Sequence, residues 1–225
     1  MASYFDLKGT TIDSFKIGKA GPTLNRSGSS IIKLNGTEQL ATENTLHPGY
    51  RANSWYNDTI LFDAYSAVTT TTAINTISYF LFQIPRTVNI VRFAFNQGTT
   101  ATGGFRIGIY SNNYSTALPD ILLASSTEIN ATGTGEKGFD TNISLTPGWY
   151  WKAINGNVAP SLSCENAYPA YNYYLSNSTF STSIVQYGLR NNLTYANSTL
   201  PTNAPVDGLS NITFGVPIMF FKTAT

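Results

Sequence analysis

Charged residues are scarce in this chain of 225 residues. Only 11% of them are Asp, Glu, Lys or Arg, whereas an average soluble domain carries about 25%. The net charge of +1 creates no field that would gather DNA, RNA or an anionic membrane. Few Lys and Glu residues also argue against long surface helices, whose exposed faces normally carry them. We therefore expect no nucleic-acid partner and no long surface helix.

Cysteine and histidine occur once each, as Cys164 and His47. A single cysteine forms no intrachain disulfide, and such a residue is more often a small buried hydrophobe than a nucleophile. Metal sites need clustered His, Cys and carboxylates, and a Ser-His-Asp triad would have to use His47, which lies in a linker-like stretch. We predict no metal, no cofactor and no catalytic histidine.

The acidic residues are scattered, and none forms a recognisable pair in the sequence. A glycosidase needs two carboxylates about 5–10 Å apart, which strands could still bring together from distant positions. The acids near expected loop ends are Asp58, Asp63, Asp120, Asp140 and Glu165. We expect a protein that is not an enzyme, with a small glycan-cleaving enzyme as an alternative.

Long hydrophobic runs are also missing. The longest, "ISYFLF" (77–82), is far too short to span a bilayer, so we expect no membrane insertion. The first residues, "MASYFDLKGTT", contain no apolar region of the kind that signal peptides have. The polarity comes from Asn, Ser, Thr, Gly and Tyr, which suits a protein that works outside a cell. A virus particle reconciles these features, because its proteins are made in the host cytoplasm and released by lysis.

Short alternating runs, separated by Gly, Pro and Asn, are what the sequence does contain, and they predict an all-β protein. "VRFAF" (91–95) and "FRIGIY" (105–110) alternate across a Gly- and Thr-rich turn. They predict an antiparallel hairpin with one face in a core, formed by Val91, Phe93 and Phe95 in the first strand. "LPDILLAS" (118–125) is the best candidate for one short helical turn.

"TISYFLFQI" (76–84) is apolar on both faces, which predicts a central strand that Pro85 ends. Several further runs complete roughly eight or nine strands, and this number favours a jelly-roll-like antiparallel β-sandwich over a barrel. The remaining predicted strands are "ILLAS" (121–125), "TNISL" (141–145), "GWYWKAI" (148–154), "SIVQYGL" (183–189) and "ITFGVPIMFF" (212–221).

The first fifty residues have a different character. "FDLKG", "SFKIGK" and "SSIIKLNG" are small Gly-rich pieces with too few apolar residues to form a core alone. Such segments gain stability by pairing with copies of themselves or with another protein. "TEQLATENTLHPGYRANS" (37–54) has no period and is interpreted as a linker. We predict an N-terminal attachment segment with its linker at 1–54 and a β-sandwich at 55–225.

The segment "FKIGKAGPTLNRSGSSIIKLNGTE" (15–38) resembles the N-terminal segment of tail fibres and other minor tail proteins of tailed bacteriophages. That segment has an aromatic-x-Ile/Leu-Gly strand, a Gly-Pro turn and a short strand that ends in Asn. The resemblance implies that this part attaches the chain to the virion. The residues that match, and to which it assigns the attachment, are Phe15, Ile17, Gly18, Gly21, Pro22, Leu24, Ile32 and Leu34.

Later stretches are similar to a β-sandwich of the same family, in the order "IGIY", "LL" and "L-x-P-G-x-Y-W". They are "FQIPRTVNIVRFAF" (82–95), "FRIGIYSNN" (105–113), "LPDILLAS" (118–125), "LTPGWYWKA" (145–153) and "GVPIMFFK" (215–222). The resemblance leaves out residues 157–182. It implies a virion structural protein on the tail or outer surface of the particle. Such proteins are usually homotrimers, held by other tail or virion proteins at the N-terminus.

Two aromatic-rich stretches are candidates for binding. In a strand from Gly148, Trp149 and Trp151 face one way while Tyr150 and Lys152 face the other. The resemblance marks Trp149 as a departure from the family's usual aliphatic residue, so a surface role stays open for it, whereas its neighbours are expected to pack. "NAYPAYNYY" (166–174) offers sugar-stacking rings, or rings that pack against a neighbouring subunit or the sandwich edge. Its tyrosines are Tyr168, Tyr171, Tyr173 and Tyr174.

These observations lead to one functional hypothesis and two alternatives. We expect a non-enzymatic tail fibre or adhesin whose N-terminus attaches to the tail and whose sandwich contacts a host-surface polysaccharide or receptor. The first alternative is a decoration or cement protein of the capsid with a purely structural role. The second is the small glycan-cleaving tail enzyme.

Overall fold

The structure, a computed structural model, describes residues 48–58, 69–165, 187–195, 199–213 and 215–225, and four short strands before them. The chain divides into two compact units, Met1–Gly49 and Tyr50–Thr225. This division falls before the predicted boundary at 54, because the residues between bond to the C-terminal strand. Asn53 N–H donates to Ala224 O at 2.9 Å, and Thr223 N–H donates to Ser54 O at 3.0 Å.

The first unit contains a four-stranded antiparallel sheet in the order β1-β2-β3-β4. Its strands are β1 (Ser14–Lys16), β2 (Thr23–Arg26), β3 (Ile32–Leu34) and β4 (Glu38–Gln39). The register sets Phe15 opposite Leu24 and Leu24 opposite Leu34, so three of the predicted attachment residues form one row across the sheet. Ile32 also lies in a strand, at the register position of Arg26. The remaining four, Ile17, Gly18, Gly21 and Pro22, lie outside the described residues.

The second unit is an antiparallel β-sandwich, which confirms the predicted fold class. One sheet has the order β10-β9-β13-β7-β15-β16, with β11 paired to β9, and is called here the central sheet. The other has the order β17-β14-β8-β18-β5, with β12 paired to β8 and β6 to β14, and is called the branched sheet. The strands are β5 (Trp55–Asn57), β6 (Thr69–Thr71), β7 (Thr76–Ile84), β8 (Val88–Thr99), β9 (Gly104–Asn113), β10 (Leu118–Ser125), β11 (Ile129–Asn130), β12 (Gly135–Leu145), β13 (Gly148–Gly156), β14 (Ser161–Glu165), β15 (Gly188–Asn192), β16 (Ser210–Ile212), β17 (Val216–Pro217) and β18 (Met219–Thr223).

Two local predictions are wrong. The segment 118–125 forms β10 rather than a helical turn. The runs in β8 and β9 do not form a hairpin, because the chain crosses from one sheet to the other at residues 100–103. Phe93 and Ile107 are both fully buried in the core between the sheets. Alternation therefore identified most of the buried side chains but not the strand partners, since facing sheets and paired strands bury the same positions.

The inward face of β8 also differs from the prediction at one residue. Ile90 and Phe93 are fully buried, whereas Val91 is only half-buried. The cause is a bulge: Lys222 pairs with Arg92 and Thr223 with Ile90, so Val91 has no opposite residue on β18. One extra residue shifts the alternation by one position, and Ile90 takes the place predicted for Val91.

Hydrophobic side chains form two layers, one on each face of the central sheet. The main core lies between the two sheets and includes Phe80, Phe82, Phe93 and Ile107. A second cluster lies on the other face of the central sheet, where residues outside the strands pack over it, among them Leu193, Leu200, Ala204 and Leu209. β7 lies between β13 and β15 and contributes to both layers, which confirms it as a central strand. The second cluster contains Ile77, Tyr79, Leu81, Tyr110, Trp151, Ala153, Leu189 and Leu200.

The strand registers define two ends of the sandwich. Gly148 lies opposite Ile84, and Thr223 lies opposite Ile90. One end of the sandwich therefore carries the turns at 85–87 and 146–147, together with the start and end of the second unit. We call this the near end. Gly156 lies opposite Phe105 at the far end, which also carries the loop 100–103. No helix in the described part of the chain is long and apolar enough to cross a bilayer.

Candidate functional site

Three consecutive aromatics at the start of β13 have different environments. Trp151 is fully buried in the second cluster, and its Nε1–H donates to Asn112 Oδ1 at 2.9 Å. Tyr150 points to the main core, with its ring centroid 5.9 Å from that of Phe82. Trp149 is half-buried against the second cluster, and its backbone N–H donates at 3.0 Å to the hydroxyl of Tyr114, a residue that is 72% exposed. Packing therefore accounts for Trp151 and Tyr150, as expected.

The other predicted binding residues receive no test. Tyr168, Tyr171, Tyr173 and Tyr174 lie outside the described residues, and their contact with glycans or with another subunit stays a prediction. His47 also lies outside them. Two concave surfaces in the described part of the chain are a groove on the branched sheet and a cavity at the far end.

A buried ion pair joins the two sheets through the main core. Lys152 Nζ donates to Asp58 Oδ2 and to Pro217 O, both at 2.5 Å, and Met219 N–H donates to Asp58 Oδ1 at 3.0 Å. Both charged side chains are 1% exposed. Burial raises the pKa of the Asp58 carboxyl above its usual value, and the Lys152 ammonium partly opposes this shift. Because solutes do not reach this pair, we assign it to structure rather than to chemistry on a substrate.

The groove on the branched sheet, here the sheet-face groove, lies on the face that points away from the main core. Its volume is about 160 Å³. The register places Gly138 and Phe220 on either side of Ala94, so small residues form the floor beside one aromatic ring. A Cβ atom on Gly138 would clash with the carbonyl oxygen of Phe93, so only glycine fits there. The lining residues are Trp55, Ala94, Phe95, Asn96, Glu136 and Phe220.

The sheet-face groove combines an exposed indole with polar groups. Trp55 is 42% exposed. Arg92 on the same face holds Glu136 at the groove edge, with Nε 2.6 Å from Oε1, and holds Asp140 with Nη1 2.6 Å from Oδ1. These hydrogen bonds raise the pKa of Arg92. Because the guanidinium offsets Glu136, the carboxylate among the lining residues, the groove suits an uncharged ligand with an apolar face and polar edges.

The cavity at the far end, here the far-end cavity, has a volume of about 260 Å³. Arg106 on β9 and Asn155 on β13 are cross-strand neighbours on the outer face of the central sheet. The Arg106 guanidinium lies 4.4 Å from the centroid of the Tyr195 ring. Tyr195 in turn donates its hydroxyl to Glu128 Oε2 at 2.6 Å. The lining residues are Arg106, Asn155, Leu193, Thr194, Thr199, Leu200, Pro201 and Thr202.

The sequence analysis did not identify either surface, although each surface contains one residue that is unusual in the sequence. Trp55 stands at the start of the predicted sandwich, where the sequence shows no clear strand period. Arg106 lies on the outward face of β9 beside Gly108 and the buried Tyr110, which is an unusual position for a charged residue. Neither signal locates a site alone, because the residues that complete each one come from distant parts of the chain.

Within the part of the chain that the structure describes, no three His, Cys, Asp or Glu side chains lie close enough together to hold a metal ion. Comparison with models of known protein families finds no match, and comparison with curated proteins finds none. The two surfaces and the division into two units are therefore the features that bear on function.

Proposed function

We propose that this chain is a structural protein of a bacteriophage virion, an adhesin of the tail-fibre type. Its first unit attaches the chain to other virion proteins, and its sandwich contacts glycans on the host surface. The division into a small four-stranded unit and a larger sandwich supports this arrangement. So does the scarcity of charge, which leaves neutral hydrogen-bonding and stacking groups on the surface.

The sheet-face groove is the observation that carries the proposal. Pyranose rings have a flat C–H face that stacks on aromatic side chains, and hydroxyls at the rim that bond to amides and carboxylates. Trp55 and Phe220 supply the aromatic faces, while Asn96 and Glu136 supply polar groups beside them. The groove is smaller than the roughly 300 Å³ at which drug-sized pockets begin. It therefore accommodates one sugar ring of a longer chain.

Weak binding at one groove suits a protein that acts in many copies. A single exposed sugar site typically gives millimolar affinity, and linked sites gain roughly 100- to 10,000-fold through effective concentration. A homotrimer would present three grooves on one particle-bound fibre, and several fibres would multiply the contacts. The proposal therefore includes a trimer, with its N-terminal strands ordered against neighbouring chains.

A mutational test separates the groove from the other aromatic candidate. Full-length protein is screened against a panel of neutral bacterial-type oligosaccharides, and the best ligand is titrated by ligand-detected NMR. We expect Trp55→Ala and Phe220→Ala each to weaken binding at least about tenfold, in line with the loss of one stacking contact. Trp149→Ala is the matched control and leaves the affinity unchanged. Binding that survives both groove variants, or no binding of any glycan, contradicts the proposal.

A cement protein is the second candidate function, and one feature favours it. Ile121 and Leu123 are 48% and 40% exposed and lie two residues apart on β10, the edge strand of the central sheet. Exposed apolar residues at a sheet edge suit contact with another subunit. Burial of β10 beneath a shell protein, seen by imaging intact particles, would favour this role over the adhesin.

The proposal excludes a glycan-cleaving role for the groove. A glycosidase uses one carboxyl group as a proton donor and a second as nucleophile or base. Glu136 and Asp140 instead share one guanidinium, in the manner of a structural ion pair. Release of oligosaccharide from a host polysaccharide by the purified protein would overturn this statement.

A further inference from the structure

The register of the branched sheet arranges the outer side chains of the sheet-face groove in two rows. In one row Glu136 on β12 lies directly opposite Asn96 on β8. In the next row Ala94 on β8 lies between Gly138 on β12 and Phe220 on β18. Two polar side chains therefore stand beside a strip of small residues that ends at an aromatic ring.

The two polar side chains are each held by a neighbouring side chain, and each keeps one oxygen for a ligand. Asn96 Nδ2 donates to Ser163 Oγ at 2.8 Å, which fixes the plane of the amide and leaves Oδ1 as an acceptor. Glu136 accepts from Arg92 Nε at 2.6 Å through Oε1, which leaves Oε2. An amide oxygen and a carboxylate oxygen accept hydrogen bonds and donate none. A ligand that uses these two oxygens therefore has to supply the donors.

Small residues beside the two acceptors leave room for an apolar substituent. Ala94 carries only a methyl group, and a Cβ atom on Gly138 would clash with Phe93 O, so the floor stays flat there. The Phe220 ring and the indole of Trp55, which is 42% exposed, line the groove on the side of β18 and β5. A methyl group on this floor exchanges water for apolar contacts, which is favourable. A hydroxyl group there would lose bonds to water without gaining partners, which is unfavourable.

An acetamido group matches the acceptors and the apolar floor together. Its N–H is a single donor that one acceptor oxygen satisfies, and its methyl group fits on the floor beside the ring of Phe220. Its carbonyl oxygen needs a donor, which water supplies because the groove opens on the outer face of the sheet. A plain hydroxyl at the same position offers the donor but not the methyl group. The groove therefore matches an N-acetylated sugar more closely than the unsubstituted parent sugar.

We propose that the sheet-face groove selects a sugar that carries an acetamido group, of the N-acetylhexosamine class. The N–H of this group donates to Asn96 Oδ1, and its methyl group lies on Ala94 beside the Phe220 ring. The pyranose ring stacks on Trp55, as any neutral sugar would. The preference rests on the neutral-sugar site of the proposed function and names the substituent that this site selects. Asn96 is thus a specificity-determining residue, whereas Trp55 contributes to the binding of every sugar.

The test compares matched pairs of methyl glycosides on full-length protein: N-acetylglucosamine with glucose, and N-acetylgalactosamine with galactose. Ligand-detected NMR titration gives the ratio of affinities within each pair. We expect the acetamido sugar of at least one pair to bind about tenfold more tightly, in line with one hydrogen bond and one buried methyl group. Equal binding within both pairs overturns the acetamido preference and leaves the neutral-sugar site standing. Absence of saturable binding by all these sugars overturns the proposed function as well, so the two failures are distinguishable.

Two variants locate the preference. Asn96→Leu keeps the size of the side chain and removes the acceptor, so the acetamido sugar should fall to the affinity of its parent sugar. Trp55→Ala should weaken both members of a pair and leave their ratio unchanged. A preference that survives in Asn96→Leu overturns the assignment of the acceptor.

A change in the ligand tests the same hydrogen bond without a variant, and so covers the case in which Asn96→Leu fails to fold. The acetate ester at the position of the acetamido group keeps the methyl and carbonyl groups and replaces only the N–H by oxygen. We expect the ester to bind about tenfold more weakly than the amide, because Asn96 Oδ1 then has no donor. Equal binding of the amide and the ester overturns the proposal.

Discussion

The two faces of the central sheet are both buried but are built from different side chains. The inner face packs against the branched sheet through Phe80, Phe82 and Ile107. The outer face packs under non-strand residues that include Leu193 and Leu200, and it contains Tyr79, Tyr110 and Trp151. The fully buried aromatics between the sheets are thus phenylalanines, whereas those beneath the non-strand cover, Tyr79, Tyr110 and Trp151, each carry a polar atom.

For Tyr110, the polar atom serves the backbone of the covering layer. A sheet satisfies its own N–H and C=O groups, so the side chains opposite it need no polar atoms. A non-strand cover brings carbonyl groups that need donors. Tyr110 supplies one, since its hydroxyl donates to Pro201 O at 2.8 Å. Asn155 supplies another to Leu193 O. The same irregular cover leaves the space that becomes the far-end cavity.

The buried ion pair of Lys152 and Asp58 brings two charges to the inner side of the sandwich, and breaking it should have the largest effect. Lys152→Ala leaves the Asp58 carboxylate buried without its partner, which costs about 3–5 kcal/mol of the free energy of unfolding. Replacing both residues, as in Asp58→Leu with Lys152→Met, should recover most of this loss, because no charge then stays buried. Urea unfolding monitored by tryptophan fluorescence measures both variants.

The exposed ion pairs provide the control for that experiment. Arg92→Ala removes both contacts on the branched sheet, but surface pairs contribute at most about 1 kcal/mol. A loss for Arg92→Ala as large as that for Lys152→Ala would show that burial does not explain the difference. A double variant as unstable as Lys152→Ala alone would show that the pair specifies more than its charges.

Matched aliphatic truncations compare the two faces directly. Leu/Ile→Ala substitutions in cores cost about 2–5 kcal/mol, and less where the surroundings relax into the space. We expect Ile107→Ala, between two sheets, near the upper end of this range, and Leu200→Ala, in the non-strand cover, near the lower end. Thermal and urea unfolding of the two variants check the order. Equal losses would mean that the cover is as rigid as a sheet.

Removing the hydroxyl group of Tyr110 tests the role of hydroxyls on the outer face of the central sheet. Tyr110→Phe deletes the bond to Pro201 O and should cost about 0.5–1.5 kcal/mol. The amides of Leu122 and Ala204, which bond to Thr202 O and Asp120 O, should exchange faster with deuterium because the cover opens more often. Amides of the inner strand β8 should change only as far as global stability does. Uniform acceleration throughout the sandwich would refute a local role.

The smallest expected effect appears only in alkali. The raised pKa of Tyr195, about 12 in the folded state, means that the folded protein holds this proton more tightly than the unfolded chain. Its contribution is complete below about pH 10, the ordinary tyrosine pKa, and is lost as the pH rises through about 12. Tyr195→Phe should therefore flatten the decline of stability between these values. An unchanged slope would show that burial does not raise the pKa of Tyr195 in the folded protein.

Much of the fold was predictable from local pattern. β9 is apolar on one face and β7 is apolar on both faces, and these patterns predicted buried strands. Such a prediction is possible because the period of two in a strand depends only on neighbouring residues. The prediction of a hairpin between β8 and β9 was wrong, because paired strands and strands in facing sheets show the same period of two. Val91 was misplaced because a bulge depends on the partner strand, which the local sequence does not contain.

The candidate sites were much less predictable. Trp149 could be identified as an aromatic that differs from its buried neighbours, but its half-buried state depends on Tyr114 and the second cluster. Asp58 looked like a loop-end acid, yet it lies in the core, because Lys152 arrives from a strand in the other sheet. The sheet-face groove and the far-end cavity combine residues more than eighty positions apart, such as Trp55 with Phe220 and Arg106 with Thr199.

By itself, the sequence determined the all-β class, the low charge and the identity of most buried strand residues, since these follow from composition and from a period of two along the chain. Only the tertiary structure decided which strands share a sheet, which acid is buried with a lysine, and where Arg106 and Trp55 meet their neighbours. Those outcomes depend on contacts between distant segments, whose free energy is set by packing and burial in three dimensions rather than by any local preference of the backbone.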